Sequence, residues 1–286
     1  MSKHKIPSEK ELLEAGVHFG HQMRRWNPKM EKYIFAQRKG IHIIDLEMTK
    51  NALKQTCEYL HEVASNGGQI IFVGTKKQAR DIIELEAKRC GALYVTERWL
   101  GGTITNYHII KKNLEKLTNL RRQRDEGELL KYTKRERLEF DRIIEKLEKS
   151  VGGIVTLKGK PAVVFVIDAR RERTAIREAN RYGVKVCALV DTNSDPEGID
   201  MLIPGNDDAI RSVALIVKTI ADAVEDGYAN VKVKAEEPVV EEVAVEVEKV
   251  NKVEGKKVKK PEIRKEVKKR GRPAKVKPLP AQAREK

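Results

Sequence analysis

The sequence predicts an α/β protein: a doubly wound parallel sheet, an inserted antiparallel helical hairpin and a disordered C-terminal tail. Three observations carry this. Short apolar runs of strand type alternate with helical periods as far as residue 229, the pattern of strands covered on both faces and joined by crossover helices. Between 104 and 150 only helical periodicity appears. From 230 to 286 there is no Phe, Trp or Tyr, and five of the ten prolines lie there. Such a composition buries too little apolar surface to offset the entropy of ordering the chain.

The expected strands are YIFA (33–36), IHII (41–44), QIIFV (69–73), ALYV (92–95), AVVFVI (162–167), KVCALV (185–190) and MLIP (201–204). Between them lie apolar stripes at helical spacing. Leu53, Thr56, Leu60 and Ala64 form one, and Ala79, Ile83, Ala87 and Cys90 a second. The clearest joins Ile210, Val213, Ala214, Val217, Ile220, Ala221 and Val224. Helices run into Gly67, Gly91, Gly183 and Gly227, as left-handed C-terminal caps require. Asn206 or Asp207 is placed to cap the last helix, and Thr103 or Thr105 the first helix of the hairpin. Within the insertion, Tyr107, Ile110, Leu114 and Leu117 answer Phe140, Ile144, Leu147 and Val151 across a glycine-bearing link. Residues 106–149 carry 13 basic and 9 acidic groups, so much of this arm faces solvent and little of it adds to the core. The resulting division is 1–103 and 151–229 for the body, 104–150 for the hairpin and 230–286 for the tail.

The charge balance narrows the function. The chain has 58 Lys+Arg against 43 Asp+Glu, a net charge of +15, which points to nucleic acid or anionic lipid. No apolar run approaches the roughly 20 residues of a membrane helix, and the N-terminus MSKHKIPSEKELLEAG has no apolar signal core. Cys57, Cys90 and Cys187 are odd in number and far apart, which fits reduced cytoplasmic thiols and neither a disulfide framework nor a zinc cluster. The tail is polarised: 231–254 has a net charge of −3 and 255–286 of +11. Within it, Arg270-Gly271-Arg272-Pro273 matches the core of a minor-groove-binding hook once, beside a generic phosphate-binding reading.

Four stretches carry candidate chemistry. In VGTKKQAR, a strand enters a Gly-Thr-Lys-Lys turn before a helix, so Lys76, Lys77 and Arg80 stand where a helix start attracts anions. The second glycine of a nucleotide-binding loop is missing, which leaves an RNA phosphate, a nucleotide or a plain strand–helix turn. FGHQMRRWNPKM interleaves Arg24, Arg25 and Lys29 with Trp26, cations for a backbone and a ring for a base. RWLGGTITN sets Arg98 beside Trp99, a stacking surface with its phosphate contact, a buried ring at a hinge, or both together. VIDARRERTAI brings Arg170, Arg171 and Arg173 after a strand end. There Asp168 orders the turn or, with Gly74–Lys77 and Asp191, forms the edge of a sugar-phosphate or nucleotide enzyme. Asp191, Asn193 and Asp195 suit either Mg²⁺ or an Asx-type turn, and His18 and His21 read as packing or hydrogen-bonding histidines. No catalytic residue, metal site or cofactor is assigned.

Taken in order, LLEAGVHFGHQMRRWNPKMEKYIFAQRKGIHIIDL, FVGTKKQA, RWLGGTITN, FVIDARRE and ALVDTNSDPEGIDMLIPGNDDAIRS resemble the bacterial-type ribosomal protein S-two family, over about residues 5–228. The resemblance implies a flavodoxin-like sheet with a coiled-coil hairpin, located in the cytoplasm in the ribosome. It implies a structural, non-enzymatic protein that binds small-subunit ribosomal RNA between head and body late in assembly. It also implies contact with neighbouring small-subunit proteins and help in recruiting the messenger-binding ribosomal protein S-one, with neither membrane nor homo-oligomer. The segment after Tyr228 departs from the family pattern, so no role is carried over to it.

Overall fold

In a computed structural model the described residues are 5–236. The expectations for the tail from 237 onward, including the 270–273 hook, lie outside them. The first elements are α1 (Glu9–Glu14), β1 (Phe19–Gln22), β2 (Ile34–Arg38), β3 (Ile41–Ile44), α2 (Leu46–Ser65), β4 (Ile70–Val73), α3 (Arg80–Cys90) and β5 (Leu93–Val95). Then come α4 (Tyr107–Asp125), α5 (Lys134–Val151), β6 (Val163–Ile167), α6 (Arg173–Arg181), β7 (Lys185–Val190), β8 (Met201–Pro204) and α7 (Ile210–Glu236).

Five strands form one parallel sheet in the order β5-β4-β6-β7-β8. Renumbered within that sheet this is 2-1-3-4-5, the flavodoxin-like order. The apolar runs have two faces to fill. Ile70, Phe72, Val163, Phe165, Cys187 and Leu189 pack with α2, α3 and α7. Their alternates Ile71, Val73, Val164, Val166, Val186 and Ala188 pack with Trp99, Ile154 and the Ala175–Ala179 side of α6. Phe72 and Phe165 meet edge to face on the first side, with centroids 5.4 Å apart.

The structure corrects several expectations. The segments at 33–36 and 41–44 are strands, but they belong to a separate antiparallel sheet, β1-β3-β2. The sequence reading passed over β1 because FGHQ has neither an apolar run nor alternation; pairing to β3 holds it extended. Neither Thr103 nor Thr105 caps α4, whose N-cap residue Asn106 makes no side-chain capping bond. The last helix begins at Ile210, so neither Asn206 nor Asp207 is its N-cap residue. Asn206 Oδ1 instead accepts from the amides of Asp208 and Ala209 and shapes the approach. Within the stripe assigned to that helix, Ile210 is exposed. Gly67, Gly91 and Gly183 do take positive φ after their helices.

Gly227 is different: it lies inside α7. A Cβ there would meet Ala64 Cβ at 2.5 Å and His61 O at 2.7 Å. Glycine is required by the close approach of α7 to α2, not by a turn.

The inserted pair keeps its expected stripes. Ile110, Leu114 and Leu117 are buried on α4, Ile144 and Val151 on α5, and Thr133 with Glu136 forms the capping box that starts α5. The helices run in opposite senses: Arg121 Nε reaches Glu148 at 2.9 Å, while Tyr107 Oη, earlier in α4, bonds to Leu157 O, later in the chain. Their stripe is continuous, through Val151, Ile154 and Leu157, with the core on the second sheet face. The base of the insertion therefore adds to the core, contrary to the expectation of an arm that contributes little. α7 continues to Glu236, past the point where the composition changes.

Gly227→Ala is expected to lower the melting temperature. Alanine improves helix propensity by about 1 kcal/mol, but overpacking against a backbone carbonyl costs about 1–3 kcal/mol. A thermal melt monitored by circular dichroism decides between them; an unchanged or raised midpoint would show that α2 and α7 can part without cost.

Candidate nucleic-acid interface

Because the five strands are parallel, their C-terminal ends share one edge, and the loops there carry most of the candidate residues. At the switch point between β4 and β6 lie Gly74–Lys77 and Asp168. This is where open α/β sheets hold ligands. Here the loop is filled by the chain itself. Glu172 Oε1 accepts from Thr75 N at 3.2 Å and Thr75 Oγ1 at 2.5 Å, and Arg171 Nε donates to the same hydroxyl at 2.7 Å. A carboxylate thus sits on donors that a phosphate would need. Gly74 serves packing: a Cβ there would come within 2.1 Å of Ile83 Cδ1.

The second glycine loop repeats the arrangement. Glu178, two turns along α6, accepts from Gly102 N at 2.7 Å, Ile104 N at 3.2 Å and Thr105 N at 3.4 Å, and from Thr105 Oγ1 at 3.3 Å. Tyr182 Oη adds a bond to Thr105 O at 3.0 Å. One short helix pins both loops. Neither glutamate was singled out from the sequence, because their partners lie 73 to 97 residues away.

Lys76 corrects its sequence reading. It precedes the first residue of α3 and turns inward, with Nζ 2.7 Å from Asp207 Oδ1, 2.6 Å from Asp208 Oδ1 and 3.8 Å from Asp168 Oδ2. Burial alone would lower its pKa, but the aspartates outweigh it and hold the ammonium above its ordinary value. Asp207 is fully buried. Desolvation first, then the nearby Asp191 and Asp168, push its carboxyl up to about 7.

Trp99 is also corrected. Its ring is 5% exposed and packs in the core beneath the second sheet face, so it offers no face to a base. The buried ring of the alternative reading is what is observed. Arg80 is tied down, with Nε on Thr75 O and Nη1 on Glu97, each at 3.0 Å. Lys77 and Arg98 are exposed.

The N-terminal basic segment docks beside the end of β7. Asn27 N donates to Thr192 O at 2.7 Å and His21 N to Thr192 Oγ1 at 2.8 Å. Lys29 Nζ reaches Asp195 Oδ1 at 3.1 Å and Glu197 Oε2 at 2.5 Å. Arg24 and Arg25 are exposed, and the half-buried Trp26 ring lies 5.1 Å from that of His42. His21 bridges two aspartates, with Nδ1 3.0 Å from Asp191 and Nε2 3.2 Å from Asp208. The bond to Asp191 raises its pKa against the opposing effect of burial. One donor atom from each of His21, Asp191 and Asp208 lies within 4.8 Å of the others. That donor set suits a divalent cation, and the ion pairs are an arrangement that needs none.

Arg170 and Arg173 line an open cleft of about 680 Å³, joined by Arg177, which the sequence reading missed. The signal available was its i+4 spacing from Arg173, which puts both on one helix face. Asn27, Asn193, Asp195 and Glu197 line the same cleft, so the basic segment at 24–29 and the arginines after β6 meet there. Arg98 and its loop lie apart, fastened through Glu178. Among the described residues, no helix is long and apolar enough to cross a membrane.

The family model for ribosomal protein S2 matches residues 12–227. The chain belongs to the ribosomal protein S2 family. It is 49% identical over 233 residues to small ribosomal subunit protein uS2 of Francisella tularensis subsp. novicida (strain U112), covering 80% of this chain and 98% of that protein. It is 49% identical over 231 residues to the protein of the same name from Francisella tularensis subsp. tularensis (strain WY96-3418), covering 80% and 97%. The S2 match spans every loop described above, including both glutamate-filled glycine turns, and stops within α7.

The Glu172 carboxyl is raised above its ordinary value, chiefly by burial and against the two bonds from Thr75. A raised acid favours the fold at low pH, and that contribution is lost as pH rises through the folded value. Glu172→Gln keeps an acceptor for Thr75 without a charge. The variant should therefore gain stability relative to wild type as pH rises from about 4 to 8, read by urea titration at several pH values. A gap that is constant or moves the other way would show that the buried carboxylate is fully compensated.

Proposed function

We propose that this chain is a structural, non-enzymatic constituent of the small ribosomal subunit. It binds small-subunit ribosomal RNA between head and body and supports recruitment of the messenger-binding ribosomal protein S-one. Membership of the S2 family over residues 12–227 carries this reading. The net charge of +15 supports it, as cations that displace counterions from a phosphate backbone are the basis of sequence-independent RNA affinity. So does the way Glu172 and Glu178 take up the donors of both glycine loops, which leaves the switch point poorly suited to a nucleotide substrate.

The RNA-facing set in this proposal is Arg24, Arg25, Trp26, Lys77, Arg98, Arg170, Arg171 and Arg173, all half-buried or exposed. Lys29 and Arg80 belong to it through partly exposed side chains already paired with carboxylates. Residues 1–103 and 151–229 act as the RNA-binding body. The pair α4–α5 acts as an antiparallel coiled-coil arm toward neighbouring subunit proteins, and the tail is an accessory segment. The protein works as a single copy in the cytoplasm, in the ribosome.

In a sucrose gradient of cell extract the protein should travel with small subunits. A protein found wholly at the top of the gradient, with small subunits intact, would reject the proposal. Isolated binding to small-subunit RNA should weaken steeply with salt, about 0.7–0.9 in log–log slope for each phosphate contacted. Removing residues 238–286 should leave incorporation largely intact, because the S2 match and the first compact unit of the chain end before them. Complete loss of incorporation would place an essential contact in the tail.

A further inference from the structure

The cleft at α6 is asymmetric in charge. The turn after β6 and α6 supply Arg170, Arg173 and Arg177 to its lining. Arg170 and Arg177 have no acidic partner among the described residues, and Arg173 reaches only the field of Asp195. The 193–198 loop supplies Asp195 and Glu197 to the same lining, two carboxylates that share the single ammonium of Lys29. The apolar Ala169 and Ile176 complete part of the lining. Three cations and a carboxylate pair of net negative charge thus line one cleft of about 680 Å³, a volume in the range of small-ligand sites.

This shape selects among forms of RNA. A duplex offers backbone, with its base edges paired and the deep groove closed to side chains. Pressing that backbone into the cleft would set phosphates against Asp195 and Glu197. An unpaired nucleotide suits both kinds of group: its phosphate meets guanidinium forks, and its base turns an exocyclic amino group to the carboxylates, as cytosine N4 does to Asp or Glu. Uracil has no amino group to offer.

We infer that the cleft between α6 and the 193–198 loop seats one unpaired, amino-bearing nucleotide, with Arg177 among its phosphate ligands and Asp195 and Glu197 reading the base. This rests on the reading of the chain as an RNA-binding protein. α6 suits the task because Glu172 and Glu178 fasten its other contacts to two loops, so Arg173 and Arg177 project from a fixed element.

The test uses the full chain and three fluorescein-labelled probes of equal length: oligocytidine, oligouridine and an RNA duplex, with affinity read by anisotropy. Wild type should prefer oligocytidine over oligouridine by about fivefold or more. Asp195→Asn with Glu197→Gln should remove the preference. Arg177→Ala should weaken both single strands about tenfold and reduce their salt slope by about 0.7, with duplex affinity changed less than about twofold and the melting temperature unchanged. Equal losses on all three probes, or no preference for oligocytidine in wild type, would overturn the seat and leave RNA binding standing. Absence of binding to every probe would overturn the RNA-binding reading and the seat with it.

Discussion

The working edge of this protein depends on carboxylates that come from the chain itself. A glycine-bearing turn at the end of a parallel strand exposes amide donors that must be satisfied by something. Here Glu172 satisfies Thr75, and Glu178 satisfies Gly102, Ile104 and Thr105. Hydrogen bonds to an ionised acceptor are worth about 1.5–3 kcal/mol each where solvent is excluded. The Glu172 contact is nearly dry; the Glu178 set is partly screened. Both glutamates sit on or beside α6, so one helix sets the positions of the β4 loop, the 101–105 loop and its own arginine row.

That arrangement turns a ligand-binding architecture into a scaffold. In flavodoxin-like sheets the switch point is the natural place for a phosphate or cofactor. In this chain the same place holds a closed set of internal charges: Lys76 among Asp168, Asp207 and Asp208, and His21 between Asp191 and Asp208. A lone buried lysine would be costly, and so would the buried Asp191 or Asp207. Together they hold the ends of β4, β6, β7 and β8 in register with the N-terminal segment. Asp168 takes a left-handed backbone at φ 64° within this cluster and anchors the turn through Arg171 N at 3.1 Å. The cations without an ion pair are left at the periphery, on Arg24, Arg25, Lys77, Arg98 and the α6 row, where an extended polyanion can reach them.

The legible parts of the fold were those written in local period. Continuous apolar runs marked β4, β6 and β7, and 3-4 spacing marked α2, α3, α4 and α7, because burial on one or two faces imposes those periods directly. β1 was illegible because its extension comes from pairing to β3 and not from its own composition. Gly227 read as a cap because a glycine after a stripe looks the same whether it turns the chain or lets two helices touch. At the site, the basic residues were visible as a list, but their directions were not. Lys76 and Lys77 are neighbours in sequence, yet one is buried among aspartates and the other is exposed.

The sequence by itself determined the fold class, the parallel core, the two-helix insertion, the excess of positive charge and, through its ordered motifs, the family. Each is a property of composition or spacing within a few residues. Only the tertiary structure decided which charges are spent internally and which remain for a partner. Glu172 meets Thr75 across 97 residues and Lys76 meets Asp207 across 131. Pairings over such separations are set by strand order and helix placement, and no local pattern records them. The phosphate-like turn at Gly74 shows the consequence: its residue types invite an anion, and the fold supplies one from its own chain.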